Sequence, residues 1–364
     1  MSVVAVTISV LLTQAATKAP AHQVLLDQCL LHAADPKNPW ALAHGITAYG
    51  GNFLATDGRK ATDAITKDFL NQNLLPDGGV GPGNTYGFLR YGADKTPIEP
   101  HTNLVTKTFV LAKLPMTTTF PTRWGQVTLQ QLVDSVKKGF RHVPSNAEYW
   151  RDGAWTIDLL SNVGKPGGTI ATELGPISLD LVMDDALTAL EKDHAELADG
   201  MKKGLPEVPK RKQGIYAHSC GGLHLLQAVF GWSRFPEVKK KWGARLDTQI
   251  AVLFYRLESE RRQYDAALQQ APQFKLQILT QEVKFYGHFL ETVGRLKNEA
   301  GFKPSKEQQL AVNKAKVLLD AAVKGLEGIK AFSTMSAIKQ SNPQVYLDLI
   351  GDSCHAANGW NQWP

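Results

Sequence analysis

The sequence predicts a mainly α-helical protein built from repeated helical hairpins. Three observations carry that expectation. Apolar residues recur at i, i+3 and i+4 through most of the chain. Helix ends are marked by capping residues, prolines and glycines. A unit of helix, short extended turn and helix returns at intervals of about 50 to 65 residues.

Taken in order, helical spacing covers 24–34, 104–114, 129–140, 177–201, 246–270, 274–301 and 305–329. Ser305, followed by Glu307 and Gln308, reads as a cap with a polar first turn. Gly301 and Pro304 stop the helix before it. Pro236 and Pro343 fall where helices begin, which suits a fixed φ and a missing N–H. The recurring unit is visible in 52–70, 118–136 and 168–187. Each has a short extended piece, a Thr, a turn glycine and a Thr or Ser placed to cap the next helix. Each follows another helical stretch, "PWALAHGITAYG", "HTNLVTKTFVLA" or "EYWRDGAWTIDLLS". Such hairpins bury their apolar faces only against neighbours, so they stack into an open solenoid or close on themselves.

The chain has 364 residues, 43% hydrophobic and 20% charged, with a net charge of +6. That is a globular composition with dispersed basic residues and no basic-aromatic pattern for nucleic acid. "SVVAVTISVLL" is too short to span a bilayer, and small residues at Ala19 and Ala21 follow it. This resembles a secretory signal peptide over residues 1–21, although no Lys or Arg precedes the apolar run. The expected mature chain, 22–364, is one exported helical domain, secreted or periplasmic, without a membrane span; a cytoplasmic location is the alternative. "GGVGPGN" at 78–84 reads as a loop and not a phosphate cradle, because no strand of a βαβ unit leads into it.

The layout resembles the α/α toroids, rings of helical hairpins that include sugar-processing enzymes and lanthionine-forming cyclases. The resemblance implies a site where inner helices begin. Those starts carry His44, His101, His218, Arg151, Asp152 and Glu291 as proton-transfer or charge-stabilising candidates. Trp40, Asn103, Trp150, Trp155, Tyr216 and Trp360 are candidates for holding substrate. Asp152 and Asp158 are the candidate carboxylate pair for a hydrolase.

Three cysteines occur, and two sit near histidine, in "HSCGGLH" and "GDSCH". Cys220 and His224 share a helical face, as do His288 and Glu291. Thiolate, imidazole and carboxylate are the usual zinc ligands, so Cys220, His224, Cys354 and His355 form a candidate zinc set. "LAHG" at 42–45, "SCGG" at 219–222 and "SCH" at 353–355 are similar, in order and residue type, to the lanthionine-forming cyclases, though the motifs lie farther apart here and Ala356 follows the pair. That resemblance implies zinc on Cys220, Cys354 and His355, with His44 handling protons. Two other readings stay open: a Cys220–Cys354 disulfide, worth about 4–5 kcal/mol in the chain-entropy model, or unrelated buried thiols. Cys29, on an apolar face, reads as a buried thiol.

Three functions follow. One is a metal-assisted enzyme acting on a small-molecule, peptide or carbohydrate substrate. The second is a carbohydrate-active lyase or hydrolase without metal. The third is a non-catalytic helical-repeat protein that binds a partner in its concave face.

Overall fold

The computed structural model describes residues 20–74 and 84–363. The 1–19 part of the expected signal peptide and nearly all of the 78–84 loop lie outside the described residues. Fourteen α-helices are found among them: α1 Ala21–Ala33, α2 Pro39–Tyr49, α3 Ala61–Phe69, α4 Leu104–Leu111, α5 Leu129–Gly139, α6 Ala147–Val163, α7 Leu179–Asp193, α8 Ala195–Lys202, α9 Leu223–Trp232, α10 Pro236–Gln270, α11 Lys275–Ala300, α12 Lys306–Gly328, α13 Met335–Ser341 and α14 Pro343–Asn361. The expected mainly helical class is observed. No described helix is long and apolar enough to cross a membrane.

The sequence signals act where they were read. Thr128 and Ser305 each form a capping box, with Gln131 and Gln308 respectively. Ser178 caps α7, and Asn38 caps α2 ahead of Pro39. Gly301 ends α11 in the left-handed conformation that costs glycine little. Two expectations need adjustment. The helix expected over 177–201 breaks at His194 into α7 and α8, and the one expected over 246–270 is the later part of α10, which begins at Pro236 where that proline marked a helix start.

The recurring unit has a structural form. Strands β3 (Thr119–Thr122) and β4 (Gly125–Thr128) make one hairpin, and β5 (Thr169–Thr172) and β6 (Gly175–Ser178) make another. In both, a Thr hydroxyl at the turn donates to the carbonyl of the glycine three residues on, Thr122 to Gly125 and Thr172 to Gly175. In the first copy Lys60, with no side-chain cap, precedes α3, so the Thr cap expected there does not form.

Burial divides the helices. Every residue of α9 is buried, as are 285–296 of α11 and 349–357 of α14. A helix buried all round is covered on every side. By contrast α12 buries only a stripe, Val312, Ala315, Leu319, Ala322, Val323 and Leu326. The contacts run α2 to α4, α4 to α6, α6 to α9, α9 to α11 and α11 to α14, and α14 returns to α2. Outside these lie α3 on α2, α5 on α4, α7 on α6 and α9, α10 and α12 on α11, and α1 on α2 and α14.

Helices α11 and α14 pack tightly at Gly287 and Gly359. A Cβ on Gly287 would lie 2.7 Å from Ala356 Cα, a distance no real side chain tolerates.

A disulfide joins Cys29 on α1 to Cys354 on α14, 325 residues apart. This corrects the sequence expectation in two ways. Cys29 is not a free thiol, and the partner of Cys354 is not Cys220. The sulfur of Cys354 therefore offers no thiolate to a metal.

Candidate functional site

All six mutually packed helices, or the turns leading into them, contribute to one cavity of about 410 Å³. Trp40 and His44 come from α2, His101 from just before α4, Trp155 from α6 and His224 from α9. Lys284 comes from α11, and Asp348, Asp352 and His355 from α14. The site does not sit uniformly at helix starts: Trp155, Lys284 and the α14 residues lie one turn or more inside their helices.

Aromatic rings run around this cavity in an unbroken series, with His288 buried behind its wall. His101 stacks on Trp155 with centroids 3.8 Å apart, and Trp155 lies 4.5 Å from His224. His224 is 5.0 Å from His288 and 5.3 Å from His355, and His288 and His355 are 4.2 Å apart. His44 then lies 5.1 Å from His355 and 4.2 Å from Trp40.

Hydrogen bonds fix the tautomers of three of these rings. His44 Nδ1 donates to the Trp40 carbonyl at 2.7 Å, and His288 Nδ1 to the Lys284 carbonyl at 2.9 Å. His355 Nδ1 lies 3.0 Å from Glu291 Oε2, to which it donates. In each case the lone pair is left on Nε2, the arrangement found when a carbonyl or carboxylate orients a metal-binding or proton-accepting imidazole. Burial pushes His44 down to about 3 and His101 down to about 4, and holds His224 and His288 well below the usual imidazole value. Those four rings are therefore neutral at pH 7.

Two sets of potential ligand atoms lie within 4.8 Å of one another: Cys220, His224 and His288, and His288, Glu291 and His355. Zinc ligands around a tetrahedral ion stand roughly 3.3–3.6 Å apart, so modest side-chain adjustment closes either set. The first set fits a metal better. His288 Nε2 and His224 Nδ1 are buried with no hydrogen-bond partner. In the second set, Glu291 is already engaged by His355, by Asn358 at 2.7 Å and by Gln227 at 3.2 Å. Burial opposes the charge on Glu291, but His355, His288 and Lys107 outweigh it and hold the carboxyl well below its usual range. Cys220 sits at the entry to α9 with φ 50°, followed by Gly221 and Gly222 at 57° and 72°. This left-handed run, which only glycine takes readily, turns the thiol to the cavity ahead of α9.

A buried polar network extends from this centre. Gln227 bridges Glu291 to Arg295, which grips Asp158 through two bonds of 2.7 and 2.9 Å. Lys107 Nζ lies 3.3 Å from the same carboxylate. The network ties α4, α6, α9, α11 and α14 together, and its charges are mutually neutralised.

Of the residues singled out in the sequence, His44, His101, His224, His355, Cys220, Trp40 and Trp155 line the cavity, and Glu291 supports it from behind. Others lie elsewhere. Asp152 is half-exposed and pairs with Arg90 at 2.7 Å, whereas Asp158 is fully buried against Arg295, so they do not face each other as a hydrolase pair. Arg151 and Trp150 border an outer groove, and Asn103 is buried, donating to Thr156 Oγ1. His218 bonds Asp193 at 2.6 Å, and Trp360 stacks on His22. Tyr216 faces a neighbouring cavity. Sequence reasoning missed Lys284, four residues before His288, and Asp348, four before Asp352. That spacing puts each on the cavity face and was the available signal.

Burial lifts the Asp352 carboxyl well above its usual range, although Lys284 Nζ stands 3.6 Å away and 3.0 Å from Asp348. Comparisons with protein families, curated proteins and solved structures return no match for this chain.

Proposed function

We propose that the chain is an α/α-toroid enzyme whose central cavity binds zinc on Cys220, His224 and His288. The return contact from α14 to α2 supports a closed ring over an open solenoid. The observation that carries the zinc reading is the convergence of one thiol and two imidazoles, two of whose ring nitrogens are buried without partners. When bound, the ion would polarise a substrate oxygen or lower the pKa of a water. The protein's own groups divide the remaining work. Glu291 orients His355 so that its Nε2 accepts a proton, as in a carboxylate–imidazole dyad. Asp352, whose carboxyl burial holds well above its usual range, is placed to serve as proton donor, and Trp40 and Trp155 flank the substrate. The Cys29–Cys354 disulfide supports work in an oxidising, exported setting.

The test is metal content by mass spectrometry on untagged protein purified without chelators, then reloaded with zinc and dialysed. About one equivalent is expected, lost in Cys220→Ser and in His288→Gln and kept in Cys354→Ser. Zinc-free protein after reloading overturns the reading.

A second reading, a carbohydrate-active lyase or hydrolase without metal, is favoured by one observation. Asp348 and Asp352 share the cavity with two tryptophans and take the place of the Asp152–Asp158 pair expected from sequence. Oligosaccharide-dependent tryptophan fluorescence in metal-free protein would support it.

A further inference from the structure

Behind Cys220 lies a second cavity, of about 420 Å³, which shares Ser219, Cys220 and Lys284 with the central one. Its wall is strongly basic. Lys210, Lys212, Arg256 and Lys284 line it against one carboxylate, Glu260. Glu260 is fully buried and pairs with both Arg256 and Lys210. Tyr264 donates to it at 3.0 Å and accepts from Lys210 at 2.7 Å. One negative charge between two cations leaves this corner with a surplus of one positive charge. Lys284 is answered by Asp348. Lys212, held at φ 54°, forms no ion pair among the described residues. Tyr216 lies beneath the cations, its ring 5.3 Å from the Arg256 guanidinium and 5.7 Å from Lys210 Nζ, and its hydroxyl is buried with no partner.

These features share one chemical meaning. Cations anchored by a buried carboxylate cannot collapse away, and an unpartnered phenol O–H needs an acceptor. An acceptor carrying negative charge satisfies both. We propose that this second cavity is an anion subsite: it takes a carboxylate, phosphate or sulfate group of the substrate, whose reacting portion then passes Cys220 into the central cavity. The substrate class is thereby an acidic molecule with its charge one cavity removed from the chemistry. The assignment of a reacting portion rests on reading the central cavity as an active site; binding of the anion does not depend on zinc.

The experiment titrates inorganic phosphate, sulfate and acetate separately into the full chain by calorimetry, before and after exhaustive chelation. Saturable 1:1 binding of at least one of them is expected, undiminished by chelation, and weakened about tenfold or more in a Tyr216→Phe/Lys212→Gln double variant. Which ion binds distinguishes carboxylate from phosphate or sulfate recognition. Lys210→Met, which leaves Glu260 paired with Arg256, provides a second variant with the same expected weakening. Circular dichroism verifies that each variant is folded. Absence of binding by all three ions, or full-strength binding by the folded variants, overturns the subsite. Binding that disappears on chelation places the anion on the metal and overturns it equally. Loss of zinc with anion binding intact would remove the catalytic reading and leave the subsite standing.

Discussion

Glu291 Oε2 accepts the Nδ1 proton of His355 across 3.0 Å, and both groups are buried. That one contact couples α11 to α14 and occupies Nδ1 of the His355 ring, which lines the cavity. Glu291→Leu leaves His355, Asn358 and Gln227 without their shared acceptor. It should destabilise the fold by about 3–5 kcal/mol, the range for stripping one partner from a buried charged pair. Glu291→Gln retains an acceptor oxygen and should cost less than half as much. Urea denaturation of the three proteins measures the difference; equal midpoints would show that the contact holds nothing in place.

The disulfide closes a loop of 325 residues. In the chain-entropy model a loop of that length stabilises by about 5–6 kcal/mol, and measured bridges deliver about 2–5. Dithiothreitol should lower the thermal midpoint of the natural protein and leave a Cys29→Ser/Cys354→Ser variant unmoved. Cys220→Ser should respond to dithiothreitol as the natural protein does. Thermal scans with and without reductant check all three.

The helices and the closeness of the histidines were legible in the sequence for the same reason. Helical spacing fixes which residues share a face, and inner helices carry polar residues that a purely apolar core has no use for. His288 with Glu291 followed from that rule, whereas Cys220 comes near His224 through the left-handed turn ahead of α9 and not by sharing a helical face with it. The pairing of Cys29 with Cys354 did not follow from it either, because α1 meets α14 only through the return of the chain on itself, and no local pattern encodes that. Asp152, Trp150 and Trp360 looked like site residues by position, yet helix phase turns them outward to Arg90, to an outer groove and to His22. Beyond their spacing, Lys284 and Asp348 carry no sequence signal that sets them apart, because a charge at helical spacing is usually a surface one. Only the packing of α11 on α14 encloses them.

That packing makes its own prediction. A methyl at Gly287 would meet Ala356 Cα at 2.7 Å, so Gly287→Ala must push α11 from α14. The expected cost is about 1–3 kcal/mol from overpacking, with weakening of the Glu291–His355 contact one turn away. Gly243 in α10 is the control, since a Cβ there meets nothing. Gly243→Ala should stabilise by about 0.5–1 kcal/mol through helix propensity alone. Opposite signs in denaturant midpoint are the expected result, and a neutral Gly287→Ala would contradict the close approach.

Glu99 gives the fold a pH dependence of its own. It is buried ahead of α4, and its Oε1 accepts the Val105 N–H at 2.9 Å. Burial pushes its carboxyl up to about 8, outweighing the backbone donors that favour the charged form. Between the ordinary glutamate value and about 8, the unfolded chain has released this proton while the folded chain still holds it. Folding therefore takes up a proton, and this group's contribution to stability falls as pH rises through that window, by up to about 1.4 kcal/mol per unit. His194 acts in the other direction on the acid side. Burial pushes it down to about 4, so the unfolded chain gains a proton first as pH falls below the usual histidine value. The two windows overlap between about 4.5 and 6.5, where the opposed slopes cancel, so stability set by the two groups should be level there and fall as pH rises from about 6.5 to about 8. Glu99→Gln keeps an acceptor for Val105 and removes the ionisation, so it should abolish the fall between about 6.5 and 8 and expose the His194 decline as pH drops below about 6.5. Urea midpoints at half-unit steps from pH 4 to 9 read both limbs, and an unchanged alkaline slope in Glu99→Gln would assign it to another group.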